Sequence, residues 1–283
     1  MNPITENYFF RAVHYYIEDE IKERQIFERK LRVTIGKKTE ATFYDPNLKM
    51  HFHDENKSGF RVEAVMEDFQ LGLCKRMKQA EDFLRRTNYR FDRMLLKING
   101  IGKIISIEEI GIMKKNWEKL KLFLQSDYSG YEAEDYLEEI DEVLQTPKLL
   151  QKHLFHYFHW GLVFPGIPTA HEAEWQGKRV VGLSEYEGEE WNETIELTGI
   201  QNGQRHYRLS GQPLPGSRIE PIKYEGTLVL KQNSLLPLRV QVEVEFRLNA
   251  GNNRWVFDLT SENERETEEK TAEAEKPIHS LIL

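Results

Sequence analysis

Cysteine is almost missing: one, Cys74, stands among 283 residues. A single thiol excludes an internal disulfide framework and any zinc ribbon or knuckle, which need several cysteines at short spacing. Cys74 reads as a small hydrophobe. Long apolar runs are missing too. No window approaches the roughly 18 uncharged apolar residues of a membrane-crossing helix, so no membrane span is predicted. The opening stretch MNPITENYFFRAVHYYIEDE has neither the basic segment nor the continuous apolar run of a signal peptide. A cytoplasmic location is the corresponding expectation. Positive charge is in deficit, with 39 Lys and Arg against 47 Asp and Glu and a net charge of -8. With a pI near 5.7 and only scattered basic runs, the chain lacks the concentrated basic face that nucleic-acid binding requires.

Familiar catalytic patterns are also wanting. HEAEW, at His171, places Trp175 where a zinc protease has its second histidine. NGIGK is too short for a phosphate loop and has no Lys followed by Ser or Thr. No Gly-x-Ser-x-Gly nucleophile elbow occurs. The many glutamates fall in runs that read as solvated helix faces rather than as paired catalytic carboxylates. The sequence therefore leans away from an enzyme and implies no cofactor.

Aromatics, by contrast, are plentiful: 12 Tyr, 15 Phe and 5 Trp, with 39% of residues hydrophobic. That content excludes a disordered chain and supplies a sizeable core. Residues 10 to 62 alternate with period two through Val13, Tyr15 and Ile17, then Phe27, Leu31, Val33 and Ile35, then Leu48, Met50 and Phe52. Alternation of this kind predicts half-buried antiparallel strands, although the Glu and Lys content would equally suit a helix from Thr5 to about Lys30. LLKINGIGKIISIEE reads as two short strands joined through Asn99 and Gly100.

Three helices follow. Ile112, Met113, Trp117, Leu120, Phe123 and Leu124 recur at helical spacing, with Lys114, Lys115, Lys119 and Lys121 largely elsewhere on the wheel. After SDYSG, a second helix offers Tyr136, Leu137, Ile140, Val143 and Leu144, and its outer face carries Glu134, Asp135, Glu138, Glu139 and Glu142. Basic then acidic predicts an antiparallel hairpin with complementary exteriors. The third helix starts at TPKLLQ, with Thr146 as cap and Pro147 in the first turn, and should end before Gly161.

From Glu172 the pattern is β. Asn202 and Gly203 join TIELTGI to RHYRLSG as a hairpin. Leu236, Leu238, Val240, Val242, Val244, Phe246 and Leu248 share one face of a long strand. NAGNN turns the chain into a further strand bearing Trp255, Phe257 and Leu259. SENERETEEKTAEAEK then reads as a solvated tether before the apolar end PIHSLIL. The expected class is α+β, with four regions: a β-rich 1–107, a helical 108–168, an antiparallel sheet over 169–260, and an acidic tether with an apolar end at 261–283.

Three candidate sites arise. His153, His156 and His159, three residues apart, put two imidazoles at a time within reach of one ion. The outer pair of a continuous helix is separated by about 9 Å of rise, so a metal site would combine His153 and His156 with His51 and His53 of MHFH, and zinc is the ion it would hold. The same stretch also reads as core packing with histidines at its edge. Alternatively Phe155, Phe158, Trp160 and Phe164 could wall a cavity for an apolar ligand between sheet and helices, or simply fill that space. Finally, Ile278, Leu281, Ile282 and Leu283, at the end of a polar tether, could dock on a protein partner, on a second copy in a homo-oligomer, or on this same molecule.

The order of elements resembles bacterial half-barrel proteins of the lipoprotein-carrier type, in which an antiparallel sheet wraps around helices. Residues 91–168, from FDRMLLKINGIGKIISIEE through NWEKLKLFL to QKHLFHYF, are similar to a segment of uncharacterised bacterial proteins. The carrier resemblance implies a half-barrel, export from the cytoplasm and an apolar cargo; it transfers no functional residue. The reading from the residues is a bacterial binding or assembly protein that works through protein contacts, with a carrier of an apolar ligand as the alternative and a histidine–metal enzyme third.

Overall fold

The computed structural model describes residues 3–18, 21–39, 42–45, 50–53, 59–73, 77–87, 91–168, 174–183, 190–249 and 251–265, the side chains of 21, 37, 39, 42–45 and 50–53 excepted. Cys74, His171 and the apolar end at Ile278, Leu281, Ile282 and Leu283 lie outside the described residues.

The class is α+β. The chain lays down β1 (Ile4–Glu18), β2 (Ile21–Thr39), a small separate hairpin of β3 (Thr42–Asp45) and β4 (Met50–His53), then β5 (Gly59–Gly72). After α1 (Lys78–Thr87) come β6 (Arg93–Ile98) and β7 (Ile104–Glu108), then α2 (Ile110–Asp127), α3 (Tyr131–Gln145) and α4 (Pro147–Leu154). The carboxy-terminal strands are β8 (Gln176–Gly182), β9 (Glu190–Gln201), β10 (Gln204–Pro213), β11 (Glu220–Lys231), β12 (Pro237–Leu248) and β13 (Gly251–Ser261). Eleven of these strands form one open sheet in the order β7-β6-β5-β2-β1-β13-β12-β11-β10-β9-β8. Every described pairing in it is antiparallel. Pairing of β1 with β13 joins the amino- and carboxy-terminal regions in the middle of that sheet, so both halves serve one continuous core.

Local chemistry explains the turns. Asn202 and Gly203 have φ of 51° and 72°, the double left-handed conformation that a two-residue hairpin of the primed type requires. In the β6–β7 turn the Asn99 side-chain oxygen accepts from the Ile101 and Lys103 amides, at 3.1 and 2.9 Å. The strands bury one parity: Phe27, Leu31 and Val33 on β2, Val240, Val242, Val244 and Phe246 on β12, Trp255, Phe257 and Leu259 on β13. The opposite parity carries cross-strand ion pairs such as Arg11–Glu28 and Arg254–Glu243.

Several expectations are corrected. On β1 the inward face is Tyr8, Phe10, Ala12 and His14, while Tyr15 is half-buried and Ile17 exposed. FFRAVHYY is apolar on both parities, so the choice of face falls to pairing, which sets Ala12 between Phe27 and Phe257. The helical alternative for Thr5 to Lys30 is strand. On α2, Met113, Trp117 and Leu124 are buried, but Ile112 and Phe123 face solvent. The predicted α2–α3 hairpin forms: the Trp117 indole donates to Asp141 at 2.6 Å, and Lys114 donates to the Gln145 carbonyl. The predicted cap forms as well, with the Thr146 hydroxyl accepting from the Leu149 amide. The third helix does end before Gly161, and it does so already at Leu154. One helix, α1, was not expected from the sequence.

Candidate functional site

Residues 155–168 leave α4 as successive tight turns and not as helix. The amides of Phe155, His156 and His159 reach back three residues, and the Trp160 amide reaches the Leu154 carbonyl. Gly161 permits this compaction, since a Cβ there would lie 2.1 Å from the Phe155 carbonyl oxygen. Tyr157, Phe158, Trp160, Leu162, Val163 and Phe164 are all buried. A buried irregular backbone needs donors from elsewhere, and arginines on three strands supply them. Arg29 of β2 donates to the Phe158 carbonyl at 2.6 Å, Arg179 of β8 to the Gly161 carbonyl at 2.6 Å, and Arg205 of β10 to the Pro168 carbonyl at 2.7 Å.

These bonds establish how strongly the sheet curls. The Tyr157 amide bonds the Gly182 carbonyl on β8, the eleventh strand, at 2.9 Å, and the very next residue receives Arg29 from β2, the fourth. Seven interstrand steps of about 4.8 Å would separate those strands by roughly 34 Å in a flat sheet, whereas adjacent Cα atoms are about 3.8 Å apart. The sheet therefore wraps around 155–168 as a plug. Just upstream, Gln151 donates to the Ile104 carbonyl on β7, the opposite edge.

A buried polar network fastens the plug beside β8. Glu193 of β9 is fully buried and accepts from the hydroxyls of Tyr157 and Tyr224 and from the Arg179 guanidinium. Burial works against both charges of the ion pair, raising the Glu193 carboxyl to about 8 and lowering the Arg179 guanidinium to about 10. Burial first, then the Glu193 charge, pushes the Tyr224 hydroxyl well above its usual range. On the opposite wall Arg29 lies over the rings of Phe69, Phe158 and Phe10. The β2–β5 register shifts between Glu28 and Lys30, a bulge at Arg29.

Of the aromatic residues expected to wall a ligand cavity, Phe158, Trp160 and Phe164 are buried and Phe155 half-buried. Phe158 packs edge-on against Phe10, Phe27 and Trp255, so in this state the segment occupies the concavity. Among the histidines, the structure brings His153 to His159, with Nε2 atoms 3.0 Å apart, because the chain folds back after Leu154. The 9 Å separation expected of a continuous helix does not apply. His156 lies 5.4 Å from His153, ring to ring, under Gly182. His51 and His53 fall on β4, where side chains are not described. Among the described residues no group of three or more His, Cys, Asp or Glu side chains is placed to hold a metal ion. No described helix is long and apolar enough to cross a membrane.

The charged residues that hold the plug were missed in the sequence, although a signal existed. Arg29 shares its parity with Phe27, Leu31 and Val33, Glu193 with Trp191 and Ile195, and Arg205 with Tyr207 and Leu209. A charge on the apolar parity of a strand needs an internal partner.

No family model and no curated protein matches the chain. Among solved structures, one concerned with lipid–protein interactions in lipovitellin aligns over 91% of this chain and 25% of that chain, at 9% identity and a TM-score of 0.40. Another, of Ail, the attachment invasion locus protein of Yersinia pestis, in complex with the heparin analogue sucrose octasulfate, aligns over 92% and 99%, at 7% identity and a TM-score of 0.14. This chain thus spans about a quarter of the lipovitellin chain it matches.

Proposed function

We propose that this chain is a non-enzymatic binding protein that carries an apolar or amphipathic ligand inside its curled sheet, the ligand displacing residues 155–168. The observation that carries this reading is how the plug is held. Beside the Tyr157 amide and hydroxyl bonds to Gly182 and Glu193, its contacts to the wall are aromatic packing and single bonds from Arg29, Arg179 and Arg205 to backbone carbonyls. An apolar chain with a carbonyl, ester or carboxylate head offers the same two chemistries: apolar surface for the aromatic wall and an oxygen acceptor for an arginine.

Native purification followed by solvent extraction and mass spectrometry tests for a resident lipid. Titration with cis-parinaric acid, read by energy transfer from the buried Trp160, Trp191 and Trp255, tests entry. Substituting Tyr157 by Phe, which releases the plug from Glu193 and leaves the three arginines in place, should loosen the plug and raise probe affinity. If neither the natural chain nor this variant binds the probe, and neither carries lipid, the reading fails.

A second reading keeps the protein-partner role for Ile278, Leu281, Ile282 and Leu283. Ser261 is buried, and Asn7 and Glu6 bond Glu262 and Asn263, so a truncation that spares the sheet falls after Arg265. Loss of a specific partner from a pull-down on that truncation would support docking by the tail. An unchanged profile would remove it.

A further inference from the structure

The three arginines that grip the plug differ in what they keep when the plug leaves. Arg179 has an anion on the sheet itself, because Glu193 of β9 lies 2.5 Å away and is not part of the plug. Arg205, beside the Asn202–Gly203 turn at the start of β10, donates to Pro168 at the last residue of the plug and also to the Ser234 carbonyl between β11 and β12, at 3.1 Å. Arg29 stands in the middle of β2 and is 1% exposed. Its Nη1 donates to the Phe158 carbonyl at 2.6 Å and to the Met66 sulfur at 3.5 Å. Its guanidinium carbon lies 4.7 Å from the ring centre of Phe69, 5.2 Å from that of Phe158 and 6.0 Å from that of Phe10. Departure of the plug takes from it both the Phe158 carbonyl and the Phe158 ring.

We infer, on the footing of the carrier reading, that the ligand is a single-chain carboxylic acid whose ionised head takes the place of the Phe158 carbonyl on Arg29. A guanidinium among aromatic rings is costly to keep out of water, so an acceptor that also brings negative charge replaces that carbonyl best. A carboxylate can in addition accept two parallel bonds from the guanidinium fork, which an ester or an alcohol cannot match. The surroundings choose among anions. Phe69, Phe10 and Met66 crowd the guanidinium, so the head must carry nothing polar beyond its own charge. A phosphodiester would bring a second polar substituent into contact with those side chains. A carboxylate ends the molecule. The chain behind it then takes the volume of Phe158, against Phe27 and Trp255, whose ring centres lie 4.4 and 5.9 Å from that of Phe158, and continues where Trp160 and Phe164 now pack.

The experiment titrates the full natural chain and Y157F with cis-parinaric acid and with its methyl ester at about pH 7.5, where the acid is ionised. Both probes displace the same segment, so the ratio of their dissociation constants reads the head alone. The acid should bind at least about tenfold more tightly, the margin of a charge-assisted over a neutral hydrogen bond. R29Q removes the charge while its amide can still donate to the Phe158 carbonyl, and R29M removes both; circular dichroism shows that each folds. In these variants the ester should still bind and the ratio should fall to about one. Equal binding of acid and ester by the natural chain and Y157F overturns the inference and leaves the carrier reading standing, whereas no binding of either probe removes both. A preference for the acid that survives R29Q and R29M puts the head on another cation and likewise overturns it.

Discussion

The imidazole of His14 stacks on the indole of Trp255 with ring centroids 4.1 Å apart and planes 3° from parallel. His14 also bonds Asn253 at 2.9 Å, on the inward face where β1 meets β13. Burial lowers its pKa below the ordinary 6.5, against the opposing hydrogen bonds from Asn253 and Gln25. The folded chain therefore binds fewer protons than the unfolded chain just below that value. Stability is full above about pH 6.5 and falls as pH drops through the unfolded pKa, by at most about 1.4 kcal/mol per pH unit. Urea denaturation at pH 7.5 and 5.5 measures the drop, and H14Q should shrink the difference between the two.

Removing one arginine from the wall leaves a plug carbonyl buried and unpaired. Arg29→Met should cost about 2 kcal/mol for the Phe158 carbonyl, plus the lost packing over Phe69 and Phe158. Hydrogen exchange should then rise first in 155–168. Uniform acceleration across all strands would show instead that the plug opens only with the whole sheet.

Glu193→Gln tests the latch at β8. The amide can still accept from Tyr157 and Tyr224, but Arg179 is left as a buried charge without its carboxylate. Above the raised Glu193 value of about 8 the carboxyl is ionised, and breaking the buried pair from one side there costs about 3 kcal/mol or more, read as a fall in the urea midpoint at about pH 9. A midpoint within error of the natural chain would mean that the pair carries no stability.

Gly161→Ala should be worse tolerated than a typical glycine replacement. The new methyl would sit 2.1 Å from the Phe155 carbonyl oxygen, which is backbone and cannot rotate away. A loss of about 3 kcal/mol is expected, measured by thermal unfolding beside the control Gly199→Ala, whose Cβ meets nothing within 4 Å.

Thr146→Ala removes the α4 cap that accepts from the Leu149 amide, at a cost of about 1 kcal/mol. Restoring Asn or Ser at that position should recover most of it.

Local rules were enough for the elements whose signal is short-range. Asn202–Gly203, the one-face alternation of β12, the cap at Thr146 and the antiparallel α2–α3 pair were all legible, because each depends on backbone preference or on side chains a turn apart. The inward face of β1 was not, since its residues are apolar on both sides and only β2 and β13 decide between them. The end of α4 was not either. QKHLFHYFHW has helical spacing throughout, yet after Leu154 the bonds offered by Arg29, Arg179, Gly182 and Tyr224 outweigh continued helix. Those partners come from strands that are distant in sequence and converge only once the sheet curls. The sequence by itself determined that this chain would be α+β with a large aromatic core and little chemistry in plain motifs. That the aromatic stretch is a turned plug gripped by arginines was decided by tertiary structure alone, because long-range hydrogen bonding to a buried backbone leaves no periodicity in the residues it holds.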